Sequence, residues 1–226
     1  MKQDVVLTRK RMTTPRAAAV AGILFSVLLI TSLVLVWIYV PRDPAKGWVQ
    51  PGMNWQAVGL ALNLVPFAGI AFLWFIGVVR DRLGDHEDRF FATVFLGSGL
   101  LFLAMLFASA AVAGGLIAII GAAASTQLVD PGIYTFGRAV THEILNVYAM
   151  KMAGVFMIST CTLAVRTGIF PRWMAFIGYG LALLLILSVG RLEWVSLVFP
   201  LWVLLISIDI LLANLGKKSD EINIQI

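Results

Sequence analysis

The residues able to do chemistry in this sequence are few, and several sit where charge is costly. Lys151, Asp209 and Asn63 fall inside long apolar runs. An ionisable or strongly polar side chain in such a run marks a candidate polar site that needs a cavity, a partner or a route to water. Just before Lys151, Arg138, His142 and Asn146 recur at i, i+4 and i+8, a spacing that puts them on one helix face, with Glu143 beside His142. One reading is the mouth of a polar cavity, where His142 and Glu143 exchange protons or Lys151 attracts an anion. The plainer reading is the start of a helix at the membrane interface, with charges among headgroups and Glu143 near the positive end of the helix dipole.

The plainer alternatives differ for the buried three. The long stem of Lys151 can carry its ammonium outward to the interface. Asp209 has no such reach and would take a hydrogen bond from a neighbouring helix or a water. The two differ in depth by roughly 12 Å, so no direct ion pair between them is expected. Asn63, three residues before Pro66, is expected to bond a neighbouring helix or the backbone carbonyl that the proline frees.

Other chemistries find no support. A single cysteine, Cys161, excludes an intramolecular disulfide and a cysteine-built metal site. His86 and His142 fall on opposite sides of the bilayer and cannot ligate one metal or haem together. His86-Glu87-Asp88-Arg89-Phe90 lacks the second histidine of a zinc-protease helix, and Gly97-Ser98-Gly99 lies in an apolar span without the strand and lysine of a phosphate loop. No serine nucleophile motif occurs, and Lys151 in the fourth of six helices does not match a retinal-binding lysine in the last of seven. No catalytic residue, metal ligand or cofactor is assigned.

The elements that must position these residues are set by composition. The chain has 226 residues, of which 60% are hydrophobic and 13% charged, and its mean hydropathy is +0.94. Soluble domains carry about a quarter charged residues. The apolar residues come in blocks near the ~20 residues that a helix needs to cross a ~30 Å hydrocarbon core. They do not alternate with polar ones as barrel strands would. The expected fold is therefore all-α: an integral membrane bundle of about six helices. Spans fall near 17–40, 55–79, 90–124, 142–166, 173–189 and 194–215, between a basic tail at 1–16 and a short tail at 216–226. The first run exceeds a signal-peptide core and lacks a clear cleavage site, so it reads as a retained anchor.

Asn54 is placed to cap the second span, and Gly84, Gly168 and Gly216 to end the second, fourth and sixth. Asp130-Pro131-Gly132 signals a turn within a polar connection at 125–141. The charges of the 80–89 loop complement the dipoles of the helices it joins. Pro66 and Pro200 are expected to kink their helices. The third run, at 1.5 Å per residue about 50 Å long, must tilt, project from the bilayer or break at Gly114–Gly115, with a short extra helix beyond. Along it Ala110, Gly114, Ala118 and Ala122 recur every fourth residue, a seam for close packing within the chain or between two copies in a homo-oligomer.

Orientation follows from charge. With six spans and the N-terminus inside, twelve Lys and Arg lie on the cytoplasmic side and four outside, which predicts both ends in the cytoplasm of a multi-pass inner or plasma membrane protein. The net charge of +5 is this bias, and no soluble stretch is long enough for a nucleic-acid site. The stretch from Arg80 to Gly99, with Arg-Asp-Arg-Leu-Gly and then Asp-Arg-Phe-Phe-Ala-Thr, resembles small uncharacterised bacterial polytopic membrane proteins. The resemblance implies the membrane bundle and carries over no functional residue. Function is left between a small transporter or channel-like protein, a non-catalytic scaffold or subunit of a membrane complex, and an enzyme using His142 and Glu143 as acid and base.

Overall fold

The computed structural model describes residues 14–40, 54–83, 89–123, 131–167, 171–188 and 193–224. Among these residues the structure is helical, with no strand. Helix α1 spans Thr14–Tyr39, α2 Trp55–Leu83 and α3 Arg89–Ala123. One continuous rod follows, made of α4 (Pro131–Glu143), a π-helical segment (Ile144–Ala149) and α5 (Met150–Thr167). Then come α6 (Arg172–Leu187), a 3₁₀ turn (Glu193–Leu197) and α7 (Val198–Ile224). Five helical stretches are long and apolar enough to cross a membrane: Ala17–Tyr39, Gln56–Arg80, Ala92–Ile120, Gly132–Arg166 and Trp194–Ala213. Arg172–Leu187 is a shorter apolar helix. The chain is a multi-pass membrane protein built as a helical bundle.

Several element boundaries differ from the sequence expectation. The fourth membrane helix begins at Pro131, not near His142, so the second half of the 125–141 connection is helix. Proline costs nothing at a first helical position, where its missing N–H would bond no carbonyl, and the segment gains cover by packing on α3. The third run is unbroken through Gly114–Gly115, with no separate helix beyond. A glycine costs about 1 kcal/mol in a helix, less than exposing unpaired backbone groups to lipid. Helix α2 continues through Pro66. Pro200 falls in the first turn of α7, where its missing N–H is tolerated. Gly216 does not end α7, which runs to Ile224. Asn54 caps α2 as expected, its Oδ1 accepting from the Ala57 amide at 3.1 Å. The other expected caps Gly84 and Gly168, the charged 84–88 loop and the first tail as far as residue 13 lie outside the described residues.

Two packed groups make the bundle: α1 lies along α2 and α7, and α5 lies along α6 and α3. Phenylalanines from five helices lock them together. Phe25, Phe72, Phe102, Phe156 and Phe199 are fully buried. Phe72 stands at their centre, with ring centroids 4.6 Å from Phe25, 5.2 Å from Phe156, 5.4 Å from Phe102 and 5.6 Å from Phe199. Lipid gives helices no hydrophobic reason to associate, so close packing of this kind and hydrogen bonds between helices must do it. The Ser32 hydroxyl donates to the Ala61 carbonyl at 2.7 Å and ties α1 to α2. Ser32→Ala should lower the unfolding free energy in detergent by about 0.6 kcal/mol, the usual size of such bonds in membranes. A chemical-denaturation midpoint checks it, and a loss above about 2 kcal/mol would show that the bond carries more than packing does.

Candidate functional site

The polar face expected around Arg138 is built by the rod of α4, the π segment and α5. Gly137 lets α4 approach α3, because a Cβ there would sit 3.1 Å from Leu116 Cδ1. Ser109 of α3 donates to the Thr141 carbonyl at 3.1 Å, and the Thr141 hydroxyl donates to the Gly137 carbonyl at 2.8 Å. Immediately below, the chain widens into the π turn, where the Met150 amide donates to the Leu145 carbonyl five residues back. Single π turns inside α-helices are rare and gather at functional sites. Here the wide turn carries Asn146, which is 9% exposed.

These residues face a partly open cavity of about 170 Å³. Its polar side is Tyr134, Arg138, Thr141, His142 and Asn146 of the one rod, with Ser196 from the 3₁₀ turn. Its other walls are aliphatic, from Leu33 and Val36 of α1, Leu62 of α2, and Leu116 and Ile117 of α3, with Trp37 at the rim of α1. The site lies at the end of the bundle where α1 finishes and α2 begins. Helix α4 rises about 22 Å above the level of Asn146, where α7 is only starting, so the cavity has tall walls and a low side. Phe199 lies one helical turn below Ser196, so the phenylalanine cluster sits deeper in the bundle than the cavity, whose lining residues include no phenylalanine. Arg138 and His142 lie among the lining residues, which include no carboxylate. The site is thus polar on one side and apolar on the rest.

The other candidates lie elsewhere. Glu143 is exposed on the far side of the rod and does not line the cavity with His142. Neighbouring helical residues point about 100° apart, which separates the proposed acid–base pair. It is also twelve residues inside the helix, so it does not meet the dipole at the N-terminus as expected. Lys151 is half-buried on the same face as the exposed Tyr148 and Ile158, away from the cavity. Gly154 packs on Ala182 and Ile186, so Lys151, about 4.5 Å further along, is level with the last turn of α6. Asp209 is half-buried, about 20 Å along α7 from Ser196. Asn63 is exposed, so it is not the buried link between helices that was expected; its neighbour Leu62 takes the inward position. Of the small-residue seam, Ala110 packs on the core and Gly114 faces Leu62 within the chain, while Ala118 is exposed.

Sequence reasoning missed Tyr134, Thr141 and Ser196. Tyr134 and Thr141 stand four before and three after Arg138, so their place on the face was readable once 131–143 is taken as helix. Nothing in the sequence signals Ser196, which arrives through the tertiary meeting of the 3₁₀ turn with the π segment. No protein-family model matches the chain, and neither the curated proteins nor the solved structures give a match to it.

Proposed function

We propose that this multi-pass protein is a small carrier of the plasma membrane that takes a solute into the cavity of Arg138, His142 and Asn146 from the outer side. The observation that supports the reading is the cavity itself: polar on one rod and partly open at one end, with the phenylalanine cluster deeper in the bundle. The excess of Lys and Arg in the segments at the opposite end supports reading that end as cytoplasmic and the cavity end as external. A carrier with a site open to one side requires a second state open to the other, so the helix packing beneath the cavity must part and the outer walls must close. The π turn supports this, because a wide turn can exchange with a regular one by a shift of a single residue.

The experiment needs no knowledge of the solute. In a Cys161→Ser background, Asn146→Cys is treated with a membrane-impermeant thiol reagent in right-side-out and in inside-out vesicles. Labelling from both faces is the expected result. Labelling from the outer face alone would overturn transport and favour the second reading, a non-catalytic subunit that self-associates through the outward part of α3. That reading is supported by α3 being the least enclosed of the long helices, with Phe107, Ala118 and Ile119 exposed.

A further inference from the structure

We infer that the occupant of the cavity is an uncharged, mainly hydrocarbon molecule, a ring or chain with no more than a hydroxyl-sized polar end. The inference rests on the cavity proposed above as the solute site and names its ligand class.

The polar wall asks for no charge. Tyr134, Arg138 and Ser196 each make an interaction of their own. The Thr141 hydroxyl donates to the Gly137 carbonyl, and the Thr141 carbonyl accepts from Ser109. Among the described residues, the buried side-chain nitrogen and oxygen atoms without a partner are Trp202 Nε1 and Ser207 Oγ, and neither residue lines the cavity. An anion would give up its water against hydrocarbon on most sides, beside a guanidinium that is already engaged. A cation would meet Arg138 with no carboxylate among the lining residues to answer it. A neutral molecule incurs neither cost.

The other walls ask for hydrocarbon. Leu33, Val36, Leu62, Leu116 and Ile117 bring aliphatic side chains from three helices. Part of this wall stands above the reach of lipid tails. The stretch Gly132–Arg166 has 35 residues, about 52 Å, and Ala92–Ile120 has 29, about 43 Å. Tilted by 40°, the top of the range for membrane helices, a helix crosses the hydrocarbon core in about 39 Å. Both stretches therefore project. They do so at the cavity end, because α6 stops near the level of Lys151 and α7 starts near that of Asn146. Leu116 packs opposite Gly137, which is about 13 Å above Asn146 along the rod. Aliphatic surface at that height faces water unless an apolar body covers it, and covering it is favourable in proportion to its area.

Size agrees. The cavity of about 170 Å³ is close to engineered apolar cavities that stay dry and bind benzene. A ring fits whole, and a longer chain must leave through the low side. A hydroxyl on such a body both donates and accepts, so it suits the polar face of the rod without bringing a charge.

The test is ¹⁹F NMR of 4-fluorobenzyl alcohol with the purified protein in phosphatidylcholine nanodiscs, where a resonance distinct from the lipid-partitioned signal reports the site. That resonance should saturate. Unlabelled benzyl alcohol should displace it, while benzoate and benzylammonium, the anionic and cationic counterparts, should compete about tenfold or more less well. Ala113→Phe fills the cavity and should abolish the resonance. Ile117→Trp, one turn along the same face of α3, narrows the same space and serves if Ala113→Phe does not fold. Gly180→Ala, with no atom within 4 Å of its added Cβ, should leave the resonance unchanged. Dodecanol separates two forms of the occupant. Displacement assigns the site to a chain that leaves by the low side, and no displacement assigns it to a compact body; both uphold the class. A signal that never saturates, benzoate or benzylammonium binding as well as the alcohol, or a resonance that survives a folded cavity-filling variant would each overturn it. If no bound resonance appears while Asn146→Cys is labelled from both faces, the ligand class falls and the carrier reading stands. If the alcohol binds while labelling comes from the outer face alone, the carrier reading falls and the ligand class stands.

Discussion

Phe72→Ala is expected to cost the folded bundle about 3 kcal/mol, at the lower end of the range for aromatic truncation in a core. The ring of Phe72 is fully buried and lies within 6.1 Å, centroid to centroid, of five other phenylalanines, including Phe75. Its removal leaves a void walled by α1, α2, α3, α5 and α7, which lipid tails cannot enter from outside. The lost dispersion contacts and edge-to-face geometry are therefore not replaced. Phe176→Ala is the matched control, because Phe176 is 69% exposed on α6 and lipid takes its place. Unfolding midpoints in mixed micelles of mild and denaturing detergent measure both. A difference below about 1 kcal/mol between the two would show that the cluster does not hold the bundle together. The same variant bears on function, since in a carrier the cluster is the barrier beneath the cavity. Phe72→Ala should let the impermeant reagent reach Asn146→Cys faster from the cytoplasmic face.

Gly154→Leu should detach α6. A Cβ on Gly154 would lie 3.0 Å from the Ala182 carbonyl oxygen and 2.7 Å from Ile186 Cγ1. The isoleucine can turn aside, but the backbone oxygen moves only if the whole of α6 moves. Helix α6 has 16 residues, about 24 Å, shorter than the hydrocarbon core, so its place depends on docking against α5. Gly154→Ala is expected to cost about 2 kcal/mol through overpacking, and the leucine variant to lose the compact species on size-exclusion chromatography. Gly180→Ala provides the contrast. No atom lies within 4 Å of a Cβ built there, so alanine should be neutral or stabilise by up to about 1 kcal/mol through its helix propensity. Equal effects at Gly154 and Gly180 would mean that close approach of α5 and α6 is not what the small residue serves.

Part of the site was legible because helical spacing is a local rule. Arg138, His142 and Asn146 share a face by their four-residue interval, and they share the cavity in the structure. That Glu143 would be turned away follows from the same geometry once the segment is helical. What misled was the boundary: Pro131 and Gly132 read as a turn, yet a proline at a first helical position starts a helix as readily as it stops one. The π turn was not legible, since a six-residue run of Ile, Leu, Asn, Val, Tyr and Ala carries no sequence mark of a wider helix.

The sequence by itself determined that these segments are helices in a membrane, roughly where they begin and end, and which side the positive charges favour. Runs of apolar residues leave the backbone no partner in lipid except itself, so helix formation needs no tertiary information. Only the tertiary structure decided which face of each helix turns inward. In water an apolar stripe announces the core; in lipid the surroundings are as apolar as the core, and the helices are apolar all round. The inward place of Phe72 and Leu62, the outward place of Asn63 and Lys151, and the arrival of Ser196 at the cavity were fixed by side-chain fit between helices distant in sequence.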